Sequence, residues 1–504
     1  MSSSTSSIEA REAQAVEPDP KRWLALTVIA ISQLLIVLDG TVVNIALPTV
    51  QEALDISTAD RQWALTAYTL SFGGLLLLGG RIADYTGRKR AFIIGLIGFA
   101  AASALGGLAQ NAPMFFGARA LQGAFAALMA PAALALLTVV FTKPKERAMA
   151  FGIYGAIAGG GSAVGLLVGG VLTEYASWRW TLLISTPIAI AAAFATAAWV
   201  RESRAHGNTS YDLPGAITST LGLVALVYAF TKAAPTGPEG ANWGSPLVVT
   251  MFAVAAVFLT AFVVIEARST NPLLPLRVLR DRNRGGSYLI ALIVGVSLFG
   301  TFLFLSYYLQ QTLGYSTLKS GVAFLPFTVG IIAGAMLSAQ IMPRVGPRIP
   351  MVSGLVLATV GMLLLTRLGV DTGFWSHVFP AELIMAFGMG VVFGPLTSTA
   401  LVGVAEHDAG VASALVNTAQ QVGGSVGLAL LNTISISAFT TYLADNRIDP
   451  QSNPLGAMAG TVHGYSVAFF VSAGLMALAA VLAAVFIQAR AEDLHTNEAV
   501  PALG

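Results

Sequence analysis

Long apolar runs dominate the chain, and short polar breaks separate them. A helix needs about 20 mostly apolar residues to cross the hydrocarbon core of a bilayer, and about fourteen stretches qualify. They run 23–47, 62–82, 90–110, 114–140, 148–174, 180–200, 212–232, 246–266, 286–309, 320–341, 349–368, 377–402, 410–438 and 464–488. Gly and Pro recur inside them, as expected where small residues let helices approach closely. The pattern predicts an all-α polytopic membrane protein, with nearly all its length in spanning helices.

The polar breaks set the orientation. Of the 27 Lys and Arg, most fall on one side of the predicted spans. Arg81, Arg88, Lys89, Arg90, Lys143, Lys145, Arg147, Arg344 and Arg348 are among them. The opposite side holds only Arg61, Arg179, Lys232, Lys319, Arg367 and Arg447, and Arg119 lies within a span. Cytoplasmic loops carry the excess of basic residues. Both termini are therefore expected in the cytoplasm.

Composition agrees and narrows the classes. The chain has 504 residues, 55% of them hydrophobic and 10% charged, with mean hydropathy +0.74. A soluble domain carries roughly 25% charged residues. The net charge of +2 gives no basic footprint for nucleic acid. With no cysteine there are no disulfides, no thiolate chemistry and no Cys-based metal site. Residues 1–22 lack a basic n-region and an apolar h-region, so they read as a disordered cytoplasmic tail.

The chain also echoes itself. Phe116-Gly-Ala-Arg119, with Gly123 and Pro131, matches Phe379-Pro-Ala-Glu382, with Gly388 and Pro395, at a nearly constant offset. Gly87-Arg88 likewise resembles Gly346-Pro-Arg348. The economical reading is two six-helix bundles, 23–200 and 286–488. An inserted helix pair with its loops covers 201–285, and a second tail covers 489–504. Such repeats are common in secondary transporters, with substrate held near the midplane between them.

Few ionisable residues lie inside the spans, and a charge there is a functional candidate by default. Asp39 stands about eight residues from the outer end of the first span, and Arg119 about six from that of the fourth. At 1.5 Å per residue both sit roughly 9–12 Å deep. They can face each other and act as a proton switch, or form a static pair that fixes packing. Glu382 lies at similar depth in the twelfth span. It can titrate, hold a cationic substrate, or simply meet outer water. Gln33, Gln122, Gln340, Asn417 and Gln421 are cavity candidates, or else hydrogen bond between helices. In the loop after the second span, Asp84, Gly87, Arg88, Lys89 and Arg90 suit a gate whose links break and reform, beyond their role in orientation. The fifth span carries a glycine face, Gly161, Gly165, Gly169 and Gly170 among them, for close packing or hinging. No GxxxxGK[ST] motif, no HExxH and no GxSxG occurs, so neither an ATP-driven pump nor an enzyme is expected. No metal or cofactor is expected either.

These segments resemble a known family. Leu38-Asp39-Gly40-Thr41-Val42-Val43-Asn44-Ile45-Ala46-Leu47-Pro48 is similar to the first-helix motif of the fourteen-span drug/proton antiporters of the major facilitator superfamily. Residues 80–90 resemble that superfamily's cytoplasmic loop motif. Arg119-Ala-Leu-Gln122-Gly123 resembles its fourth-helix motif, whose arginine is implicated in proton transfer. Trp178-Arg179-Trp180, Asp212 with Gly215, and Gly314-Tyr315-Ser316 extend the likeness along the chain. It departs at Leu166, where the antiporter motif of the fifth helix carries proline, and at Ser185, where asparagine is common. The resemblance implies a proton-coupled exporter of lipophilic drugs or antibiotics in a bacterial cell membrane. It also implies a monomer whose partners are its small-molecule substrate, protons and the bilayer. A narrow metabolite exporter, or an importer, of the same fold is the alternative.

Overall fold

The computed structural model describes residues 20–141, 143–204, 212–235, 241–269, 272–274, 276–404 and 409–495. Most of the two predicted tails, 1–19 and 496–504, lies outside the described residues. Helix dominates, and there is no strand among the described residues.

The long helices follow the predicted spans one for one. They are α1 (Arg22–Ala53), α2 (Trp63–Thr86), α3 (Arg88–Gly107), α4 (Ala112–Val140) and α5 (Pro144–Tyr175). Then come α6 (Trp180–Trp199), α7 (Leu213–Ala233), α8 (Pro246–Arg268), α9 (Arg282–Thr312) and α10 (Thr317–Val345). The last four are α11 (Arg348–Leu365), α12 (Phe374–Leu401), α13 (Ala409–Asp445) and α14 (Pro454–Phe486). Among the described residues, thirteen are long and apolar enough to cross a membrane. The remaining one, α5, has 32 residues.

Local chemistry fixes where many of them begin. Asn111, Asp212, Ser245 and Asn453 each accept a backbone N–H from the first turn, and a proline follows within that turn. A side-chain acceptor at the cap and a proline that needs no donor suit a helix start. The cap at Asn453 starts α14 well before the predicted 464. Likewise α1 begins at Arg22, inside the predicted tail, and its guanidinium pairs with Glu146 of α5 at 2.8 Å. Residues 491–495 of the second predicted tail form a short helix.

The helices pack in two groups, α1–α6 and α9–α14, and equivalent pairs recur. The fourth helix lies against α2 and α3 as α12 lies against α10 and α11. In both groups the turn after the second helix has a glycine at positive φ: Gly87 at 119° and Gly346 at 74°. Those conformations suit glycine, which has no Cβ to clash. The pair α7–α8 packs together, with α7 lying against both α2 and α13.

The groups meet at one end. Ser306 donates to Asn44 Oδ1 (2.7 Å), Gln310 to the Ile45 carbonyl (2.9 Å), and the Tyr307 hydroxyl to Gln51. Thr69 and Ser425 hydroxyls lie 2.7 Å apart, and Leu318 N–H donates to Glu174 (2.9 Å). At the opposite end, which bears Arg88, Lys143 and Arg348, no hydrogen bond joins the groups among the described residues. There Lys89 binds the Ala197 carbonyl, and Arg348 that of Ala484.

Candidate functional site

The fully buried ion pair is the centre of the site. Arg119 Nη1 donates to Asp39 Oδ2 at 2.5 Å, and both side chains have zero exposure. Gln122, one turn along α4, closes a ring: it accepts from Arg119 Nη1 (2.8 Å) and donates to Asp39 Oδ1 (2.8 Å). Its amide also reaches the Ser103 hydroxyl at 2.8 Å. Arg119 Nε donates to the Ala64 carbonyl of α2 (2.9 Å), and the guanidinium lies 4.6 Å from the Tyr68 ring centroid. Its Nη2 has no hydrogen-bond partner. The sequence brought Asp39 and Arg119 to the same depth, and the helices do place them in contact. Of the two roles expected for Gln122, cavity wall or hydrogen bonding between helices, the structure shows the second: it is sealed inside this ring.

Packing explains how α1 and α4 present the pair. Gly123 brings α4 against α2 so closely that a Cβ there would run into the Tyr68 carbonyl. On α5, Gly161, Gly165 and Gly169 face Val37, Thr41 and Val42 of α1. These glycines sit four residues apart, so they form one face. Gly170 turns instead to Leu318 of α10, in the other group, where Gly321 meets the carbonyl of buried Leu166. The face is thus shared between the α1 contact and the seam.

Glu382 is not in contact with outer water. It is fully buried in the first turn of the regular part of α12, and neither carboxylate oxygen has a hydrogen-bond partner. The Phe327 N–H, near the start of a segment of α10 beside Glu382, donates to the Phe324 carbonyl at 3.1 Å. Both helix starts favour a negative charge.

The remaining cavity candidates scatter. Gln340 and Asn417 are exposed, and Gln33 is half-buried. Gln421 packs against Gly73 across the seam, with its Oε1 buried and unpartnered. The loop residues hold together: Arg88 pairs with Asp84 at 2.9 Å, next to Gly87. The N–H groups of Lys89 and Arg90 are taken by Glu202 at 3.0 and 3.3 Å. Glu202 caps α3 from the far end of α6, and sequence reasoning passed over it. Arg61 was also missed: it reads as a loop residue, yet it is 4% exposed and bound to Asn432 of α13. A signal was available in the polar run Asp60-Arg61-Gln62 directly before an apolar helix.

Two helix groups, one inserted pair and a buried charge pair between α1 and α4 define a polytopic transporter. The chain belongs to the Major Facilitator Superfamily, whose profile matches residues 29–428. It is 49% identical over 490 residues to the puromycin resistance protein pur8 of Streptomyces alboniger, covering 97% of this chain and 95% of that one. It is 37% identical to the cephamycin export protein CmcT of Amycolatopsis lactamdurans, covering 82% and 84%. To the multidrug transporter protein MdtP of Bacillus subtilis it is 29% identical, covering 88% and 80%. Among solved structures, a bacterial homologue of the human lysosomal transporter Spinster, in an inward-facing and unoccupied conformation, aligns with TM-score 0.66. That alignment covers 96% of this chain and 99% of that one, at 17% identity.

Proposed function

We propose that this chain exports lipophilic drugs or antibiotics, cationic ones among them, across a bacterial inner membrane in exchange for protons. The buried Asp39–Arg119–Gln122 ring carries the reading. A carboxylate held by one guanidinium and one amide in a fully buried site has two stable arrangements, ionised and paired or protonated and released. The proton gradient drives the exchange, its electrical part supplying about 2.3 kcal/mol per charge per 100 mV. Both termini lie in the cytoplasm, so the Asp84–Arg88 end faces inward and the seam at Arg61 faces outward. In this arrangement the transporter is shut outside.

The working parts in this reading are the bundles 23–200 and 286–488, rocking about the seam as a monomer. The Asp84–Arg88 link, with Gly87, Lys89 and Arg90, works the inner gate. The glycine face at Gly161, Gly165, Gly169 and Gly170 lets α5 slide between α1 and α10. Glu382, buried without a side-chain partner, serves as a second proton or cation site. Gln33, Gln340, Asn417 and Gln421 remain cavity candidates. A narrower specificity is the second reading. It is favoured by relatives named for single antibiotics, puromycin and cephamycin.

The test is ethidium efflux from cells expressing the wild type or Asp39→Asn, with and without a protonophore. Efflux that collapses with the protonophore and is absent in Asp39→Asn is expected. Protonophore-sensitive efflux that survives Asp39→Asn moves the proton site to Glu382. No ethidium efflux by the wild type, with protection against one antibiotic in a panel, selects the narrow reading.

A further inference from the structure

We propose that the start of α2 couples the buried charge pair to the seam, with Arg61 as the latch that closes it. The proposal rests on the proton-exchange reading above and deepens it. Arg61 stands in the turn before α2, where its Nε–H donates to Asn432 Oδ1 on α13 at 3.1 Å. Its guanidinium lies 4.2 Å from the Tyr307 ring centroid on α9. Both partners belong to the other helix group, and Arg61 makes no ion pair among the described residues. Asn432 in turn donates to Gln62 Oε1 (2.7 Å) and to the Thr58 carbonyl (3.1 Å). Gln62 then donates to Thr231 of α7 at 3.0 Å, and Thr433 to the Phe230 carbonyl at 2.7 Å. The inserted pair is thus tied to both sides of the same latch.

The connection to the charge pair is short. Three residues after Arg61, the Ala64 carbonyl accepts from Arg119, and one turn later Tyr68 lies against the same guanidinium. Positions three and four apart share a helix face. Arg119 therefore holds α2 at Ala64 and Tyr68, while α13 and α9 hold it at Arg61 and Gln62. A buried cation satisfied only by neutral groups is costly to desolvate and is readily rehydrated. The latch therefore closes only while the start of α2 is held in register, and it yields to water when the groups part.

This geometry fixes the sign of the coupling. The charged and titratable groups around the pair are Asp39, Arg119 and Tyr68; Tyr307, and beyond it Tyr465 of α14 and Glu52, lie by Arg61. With Asp39 ionised, Arg119 is shared between α1 and α2. With Asp39 protonated, the guanidinium is left to Gln122, the Ala64 carbonyl and the Tyr68 ring, and most of its hold falls on α2. A bound proton then favours the closed seam, as an antiporter returning from the outside requires. Linkage makes the effect reciprocal.

The chain has no cysteine, so a cross-link reports the seam cleanly. Thr69→Cys and Ser425→Cys replace hydroxyls 2.7 Å apart. The rate of disulfide formation is measured in membrane vesicles with neither drug nor gradient, so the result stands whether or not ethidium is carried. Arg61→Gln, Arg119→Gln and Tyr68→Leu, each checked for monodisperse elution, are expected to slow cross-linking by about fivefold or more, the lower range of allosteric coupling. Asp39→Asn is expected to cross-link at least as fast as the parent. Both Asp39→Asn and Arg119→Gln break the ion pair, so equal slowing by both would make pair integrity alone the cause and overturn the proposal. An unchanged rate in Arg61→Gln or Arg119→Gln overturns it too.

Discussion

At the scale of single residues, the pair Asp39–Arg119 shows what a bilayer does to charge. Removing one partner leaves the other buried and uncompensated, at a cost of about 3–5 kcal/mol. Asp39→Asn is therefore expected to melt well below the wild type in detergent. Asp39→Asn combined with Arg119→Gln is expected to recover part of that loss, because no lone charge remains, while coupled efflux stays absent. Melting of the double variant below both single variants would mean that polar packing rather than charge balance holds the site. The pair was legible in the sequence because charges within apolar runs are rare. Arg61 and Glu202 were not, because they lie between runs, where a charge reads as topology. Gln122 was left open between a cavity wall and a hydrogen bond between helices, since nothing in one sequence shows which way a helix is rotated.

At the scale of elements, glycine spacing decides how closely α5 lies on α1. A Cβ at Gly165 would collide with the Thr41 hydroxyl and come within 3.3 Å of the Leu38 backbone, whereas at Gly152 nothing lies within 4 Å. Gly165→Val is expected to lower the melting temperature and abolish efflux. Gly152→Ala, earlier on the same helix, is expected to leave both intact. Loss of efflux from both variants would point to glycine flexibility rather than close packing. The spans themselves were legible because crossing a bilayer imposes a length. Their ends were less so: an apolar run does not reveal that Asn453 and Pro454 start α14 early, or that Arg22 already belongs to α1. Leu166 departs from the resembled motif, yet α5 is one continuous helix there and its carbonyl faces Gly321.

At the scale of the whole molecule, hydrogen bonds between the groups at one end, and none between them at the other among the described residues, give a direction to the transporter. The proposed orientation, argued from the basic loops, puts the end without such bonds in the cytoplasm. In the cysteine-free chain, Lys143→Cys is expected to react with an impermeant maleimide only in inside-out vesicles, and Ser452→Cys in intact cells. The reverse pattern would invert the orientation and with it the sense of the latch. The internal echo, read from a handful of matched residues, reappears as equivalent pairings of α2, α3 and α4 with α10, α11 and α12. The position of α7 against both α2 and α13 was not legible, since no periodicity states which neighbours an inserted helix chooses.

The ring around Asp39 has an electrical consequence. An energised membrane is a charged capacitor, and each embedded carrier is a place where it can discharge. Protons hop along strings of water, and the Asp39 carboxylate has no solvent exposure, with Arg119 on one oxygen and Gln122 on the other. In this arrangement the molecule is an insulator. Under the proposed proton exchange, a cell can hold many idle copies without short-circuiting the gradient that drives them.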